Sequence, residues 1–106
     1  SVMPEYTLYI LLCDNQTLYT GITIDLNKRY QQHCNGTAAK YTRSFKPIAI
    51  LKYWVIGSDR GQAQQLEYHV KKLPRTTKEH IIQHIDSTSE LMNYLHHSKK
   101  LSGKHH

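Results

Sequence analysis

The chain has 106 residues, enough for one modest hydrophobic core and too few for two independent ones. Fourteen Lys and Arg against eight Asp and Glu give a formal net charge of +6. That balance favours polyanionic partners, nucleic acid first, through counterion release, although solubility alone would account for it equally well. The composition excludes a disulfide framework, a zinc finger and a membrane helix: Cys13 and Cys34 stand far apart, and no apolar run approaches the roughly 18 residues a bilayer needs.

Tyr6 to Leu12 is rich in strand formers, the turn-prone Asp14-Asn15-Gln16 follows, and Leu18 to Ile22 makes the second arm of a predicted β-hairpin. Gly21 is expected to end or bulge that arm. With an odd number of residues in the loop, odd-numbered side chains of both strands share a face, which makes Tyr9 and Tyr19 neighbours. Asp25 is a suitable N-cap for a helix over about Leu26 to Cys34, with Leu26 and Tyr30 on its buried side. Arg29 and His33, spaced i,i+4, share a face of it. Asn35-Gly36-Thr37 stops the helix, and a polar, basic loop with Lys40, Tyr41, Thr42, Arg43 and Lys46 leads to Pro47 and a third strand over about Ile48 to Ile56.

Asp59 with Gln62 three residues on resembles a helix start, and Ala63, Leu66, Val70 and Leu73 form an apolar stripe with Glu67 beside it. After Pro74, Thr76 with Glu79 makes a capping-box pattern ahead of Ile81, Ile82 and Ile85, and Ser87 with Glu90 opens a short last helix carrying Leu91 and Leu95. The predicted order is β-β-α-β-α-α-α without repeats: an α+β fold with a three-stranded antiparallel sheet flanked by helices. Residues 1–97 read as a single domain and 98–106 as a basic polar tail whose histidines have no fixed geometry for a metal. The absence of a signal-peptide pattern and the two isolated cysteines lead to the expectation of a cytoplasmic protein with no membrane association.

Thr7-Leu8-Tyr9 on the first strand, Tyr19-Thr20-Gly21 on the second, Arg29 ten residues after Tyr19, His33 four later and Glu67 on the second helix occur in a particular order. In that order the chain resembles the GIY-YIG nuclease superfamily, and is closest to small stand-alone bacterial members. The resemblance covers about Tyr6 to Leu73; Thr7 replaces the first glycine of the pattern, and Ile22 a lysine that some members carry. It implies a metal-dependent endonuclease that hydrolyses phosphodiester bonds. DNA is favoured over RNA, in branched, nicked or single-stranded forms such as repair and recombination produce. It also implies Tyr9, Tyr19, Arg29, His33 and Glu67 as catalytic residues.

The chemistry explains why these residue types belong together. Phosphodiester hydrolysis needs an activated water, a neutralised phosphate and an electrophile at the leaving oxygen. Glu67 would hold one Mg²⁺ or Mn²⁺, hard cations that take oxygen ligands, and no small-molecule cofactor is implied. Arg29 would present a fork of N–H donors to the phosphate. Tyr9, Tyr19 and His33 are three candidates for the base: a free phenol, with a pKa of about 10, needs a nearby cation, while imidazole titrates near neutrality. Lys40, Arg43, Lys46 and Lys71 are candidates for gripping the nucleic acid backbone, with Tyr41 and Phe45 placed to stack on bases.

Plainer explanations compete at each position. Glu67 can pair with Lys71 at i,i+4, Arg29 can be a surface cation beside Lys28, the tyrosines can be hairpin packing, and the lysines can be solvated charge. At the level of function the alternatives are a nucleic-acid-binding module with weak or no turnover, and a protein-interaction domain.

Overall fold

The computed structural model describes the backbone of residues 3–103 and the side chains of residues 3–97. In chain order it contains β1 (Tyr6–Cys13), β2 (Leu18–Thr23), α1 (Leu26–Asn35), α2 (Lys40–Ser44), β3 (Pro47–Gly57), α3 (Arg60–Lys71), α4 (Arg75–His84) and α5 (Thr88–Gly103). The strands form an antiparallel sheet in the order β2-β1-β3, so the predicted α+β architecture is present with one helix more than expected.

Strand alternation divides the sheet into two unlike faces. Leu8 and Ile10 of β1 and Trp54, the β3 partner of Leu8, point into the main core, where they meet Leu66 and Val70 of α3, Ile81 of α4, Ile85, and Leu91 and Leu95 of α5. The Trp54 indole N–H donates to the Ile85 carbonyl at 3.0 Å, so the largest core side chain buries no idle donor. Tyr9, one residue out of phase, belongs to the opposite face, against α1. Leu12 pairs with Leu18 and Tyr9 with Gly21, so the connection holds an odd number of residues and odd residues stand opposite odd residues, the case that makes Tyr9 and Tyr19 neighbours.

Three caps follow from the sequence. The Asp25 carboxylate accepts from the Lys28 N–H at 3.1 Å, that of Asp59 from Gln62 N–H at 3.2 Å, and Ser87 Oγ from Glu90 N–H at 3.1 Å. Gly36, with φ of 79°, closes α1 in the left-handed conformation glycine tolerates.

Several expectations are corrected. The loop containing Lys40 to Lys46 holds the short helix α2, whose five residues are too few to show a periodic pattern. Thr76 does not cap α4: the helix begins earlier, with Pro74 in the N-cap position. Gly21 neither ends nor bulges β2, which continues to Thr23, because the glycine makes room for a neighbouring ring. On α1 the buried residue is His33, while Leu26 and Tyr30 are only half-buried. The last helix is long and runs to Gly103; the side chains of 98–106, on which the expectation of a polar tail falls, lie outside the described residues.

Candidate active site

Tyr9 sits in the central strand, opposite Gly21 on one side and Tyr53 on the other. Its ring leans over Gly21: a Cβ there would lie 2.5 Å from the Tyr9 oxygen and 2.7 Å from Cζ, closer than any real contact. The glycine of Tyr19-Thr20-Gly21 is therefore a space requirement of the tyrosine in Thr7-Leu8-Tyr9. The two triplets form one packing unit.

So placed, the Tyr9 hydroxyl lies 2.8 Å from Nε2 of His33, which α1 projects into the same face of the sheet. His33 Nδ1 lies 2.7 Å from Oγ1 of Thr42 on α2, and both Thr42 and His33 are fully buried. Tyr19 packs edge-on against His33 with ring centroids 4.9 Å apart. Arg29, one turn before His33, is steadied by Gln32 Oε1 at 3.2 Å and the Ala38 carbonyl at 3.4 Å, near enough to Tyr9 for its charge to act on the phenol. Glu67 arrives from α3, which lies against β2 and β1, close enough for its charge to act on Tyr9. Tyr9, Tyr19, Arg29 and His33 are thus brought into direct contact or close approach, with Glu67 in electrostatic range.

Burial dominates the proton chemistry. Desolvation pushes the Tyr9 phenol up to about 12; the Arg29 donor and charge pull against it, and Tyr19 and Glu67 push with it. Burial, helped by the Arg29 charge, holds the His33 imidazole down to about 4. Both groups are neutral at pH 7.

The Glu67 carboxylate also pairs with Lys71 Nζ at 3.4 Å, the i,i+4 contact that its spacing allows. With the Lys71 side chain 52% exposed and that of Glu67 22%, the pair is a weak surface bridge. A single carboxylate of this kind suits a hard cation that keeps most of its waters, and among the described residues no cluster of three or more His, Cys, Asp or Glu competes for a metal. Of the other cations, Lys40, Arg43 and Lys46 are exposed on and just after α2, but Lys46 Nζ donates to the Cys34 carbonyl at 3.1 Å and so also tethers α2 to α1. Tyr41 stacks on Tyr19 at 6.3 Å, Phe45 lies 5.2 Å beyond, and the Tyr41 hydroxyl is held by Thr17 and Asn15 of the hairpin loop. A row of rings therefore leads from buried His33 to the surface. A cleft of about 360 Å³ opens at Arg29, between the end of β2 and the start of α1, lined by Ile22, Asp25, Lys28, Arg29 and Gln32 among others.

Sequence reasoning passed over three residues of this site: Gln32, Thr42 and the packing role of Gly21. Only Gly21 left a signal, as a glycine inside a strand pattern; Gln32 and Thr42 acquire their meaning from contacts made across the fold.

Residues 5–80 match the family described as the GIY-YIG catalytic domain. A UPF0213 protein of Xanthomonas axonopodis pv. citri is 45% identical over 76 residues, covering 72% of this chain and 74% of its own. One from Clostridium perfringens is 43% identical over 75 residues, covering 71% and 80%. The solution NMR structure of a UPF0213 protein from Bacillus halodurans superposes with a TM-score of 0.50 at 33% identity, covering 83% of this chain and 93% of that one.

Proposed function

The chain belongs to the GIY-YIG catalytic domain family, and from that premise we propose that it is a metal-dependent endonuclease hydrolysing phosphodiester bonds in DNA. The observation that carries this reading is the cluster around His33: the Tyr9 hydroxyl at 2.8 Å, the Tyr19 ring packed edge-on and Arg29 one turn away on α1, with the charges of Arg29 and Glu67 in range of the Tyr9 phenol. A phenol, an imidazole, a guanidinium and a carboxylate in electrostatic reach of one another are the groups that phosphodiester hydrolysis requires.

In this reading Arg29, oriented by Gln32 and Ala38, binds the scissile phosphate and offsets the charge that builds on it. Tyr9 and His33 act as a pair in taking the proton of the attacking water, and Tyr19 holds the imidazole from its other side. Glu67 would hold Mg²⁺ or Mn²⁺, which when bound supplies positive charge to the phosphate and lowers the pKa of neighbouring acids. Release of Lys71 from Glu67 costs little and frees an ammonium for the nucleic acid backbone, in addition to the cations offered by Lys40 and Arg43. Branched, nicked and single-stranded DNA, the forms that repair and recombination produce, are the substrates of choice.

The test is cleavage of these DNA forms and of RNA counterparts with Mg²⁺ or Mn²⁺. Glu67→Gln and Arg29→Ala are expected to lose about 100-fold or more in rate. Salt-sensitive binding without cleavage would mark a binding module instead, and neither binding nor cleavage would leave a protein-interaction domain. Undiminished cleavage by Arg29→Ala would overturn the mechanism.

A further inference from the structure

We infer that Thr42 is a positioning residue that locks His33 in the tautomer protonated at Nδ1, leaving Nε2 bare to receive the Tyr9 proton. The inference rests on the nuclease reading for its catalytic consequence, but not for its geometry.

The assignment follows from counting protons. His33 is fully buried, and each of its ring nitrogens has one partner among the described residues: Tyr9 at Nε2 and Thr42 at Nδ1. A neutral imidazole carries a single N–H, so one nitrogen donates and the other accepts. Thr42 Oγ1 also lies 3.3 Å from the Ala39 carbonyl, which can only accept. The hydroxyl has one proton; given to Ala39, it leaves Oγ1 as an acceptor for the His33 Nδ1–H. Nε2 is then the acceptor, and Tyr9 donates to it.

The Tyr9 side leads to the same answer. In the opposite tautomer Nε2–H would point at the Tyr9 oxygen, and the phenol proton of a residue 1% exposed would have no acceptor among the described residues. With Nδ1 protonated, every proton in the chain Tyr9–His33–Thr42–Ala39 has an acceptor.

The functional consequence is a fixed direction of transfer. As the attacking water gives its proton to Tyr9 Oη, the phenol's own proton passes along the 2.8 Å hydrogen bond to His33 Nε2, so that the water becomes the hydroxide that attacks phosphorus, His33 becomes imidazolium and Tyr9 remains a neutral phenol. The imidazolium keeps its Nδ1–H on Thr42 and places its new Nε2–H on the Tyr9 oxygen, so the imidazole does not have to turn. Charged groups near the ring are Arg29 on α1 and, when ionised, the phenols of Tyr9 on β1 and Tyr19 on β2.

The experiment uses the whole chain, with ¹⁵N-labelled histidine, in wild type, Thr42→Val and Thr42→Ser; the His33 signals are identified by their loss in His33→Gln. The imidazole nitrogens are expected to report Nδ1–H in wild type and Thr42→Ser, and a mixture or reversal in Thr42→Val. Cleavage kinetics should then show kcat falling about 10-fold or more in Thr42→Val with KM little changed, and recovery in Thr42→Ser. An Nε2–H signal in the wild type, or a Thr42→Val variant with unchanged tautomer or unchanged kcat, overturns the inference. If Thr42→Val does not fold, the wild-type tautomer decides alone. Wild type with Nδ1–H but no cleavage of any DNA would sink the nuclease reading and leave the assignment standing.

Discussion

Two residues show how burial tunes chemistry that their residue types only permit. His33 is held neutral, its pKa lowered to about 4 from an ordinary 6.5, so the folded state binds fewer protons than the unfolded chain between those values. Its contribution to stability is therefore complete above pH 6.5 and is lost as pH falls towards 4. Thermal unfolding from pH 7 to pH 4 is expected to show a falling Tm, with a shallower fall in His33→Gln; equal slopes would contradict the assignment. Thr20, the middle of the second triplet, presents the reverse case. Its hydroxyl is buried on the core side of the hairpin without a hydrogen-bond partner among the described residues. Thr20→Val removes that idle group at nearly constant shape and is expected to raise stability by about 1 kcal/mol. Urea unfolding followed through the fluorescence of buried Trp54, the chain's one tryptophan, reads the change in midpoint.

At the level of elements, the hairpin and α1 act as a unit whose tolerance is set by Gly21. Gly21→Ala forces the Tyr9 ring off its place and breaks the fit to His33, since the nearest atoms all belong to the Tyr9 side chain, which is confined between strand and helix. Overpacking of this kind costs about 1–3 kcal/mol. Cleavage is expected to fall by about 10-fold or more, and unfolding and activity assays on the same sample would separate the two effects. Local sequence marked most element boundaries because the signals are local: Asp25, Asp59 and Ser87 cap helices a few residues away. It failed at α2, where five residues leave no periodicity, and at Thr76, where the chain enters the helix before the candidate cap.

For the whole molecule, the net charge of +6 becomes a testable surface once its members are placed. Lys40 and Arg43 are exposed on α2, while Lys46 and Lys71 are partly engaged with Cys34 and Glu67. Affinity for DNA should fall steeply with salt, and Lys40→Ala and Arg43→Ala should each flatten the log–log slope by about one. Fluorescence anisotropy across a salt series measures it; unchanged slopes would remove α2 from the interface. The sequence by itself determined the hairpin, the three strands, the main helices and the family, because alternation, caps and motif order are written along the chain. It also named the five candidate groups, but not their state. That Tyr9 meets His33 over Gly21, that Thr42 stands behind the imidazole, and that both groups are driven neutral were decided only by the tertiary structure. These depend on burial and on contacts between residues 9, 21, 33 and 42, from four elements that no local pattern connects.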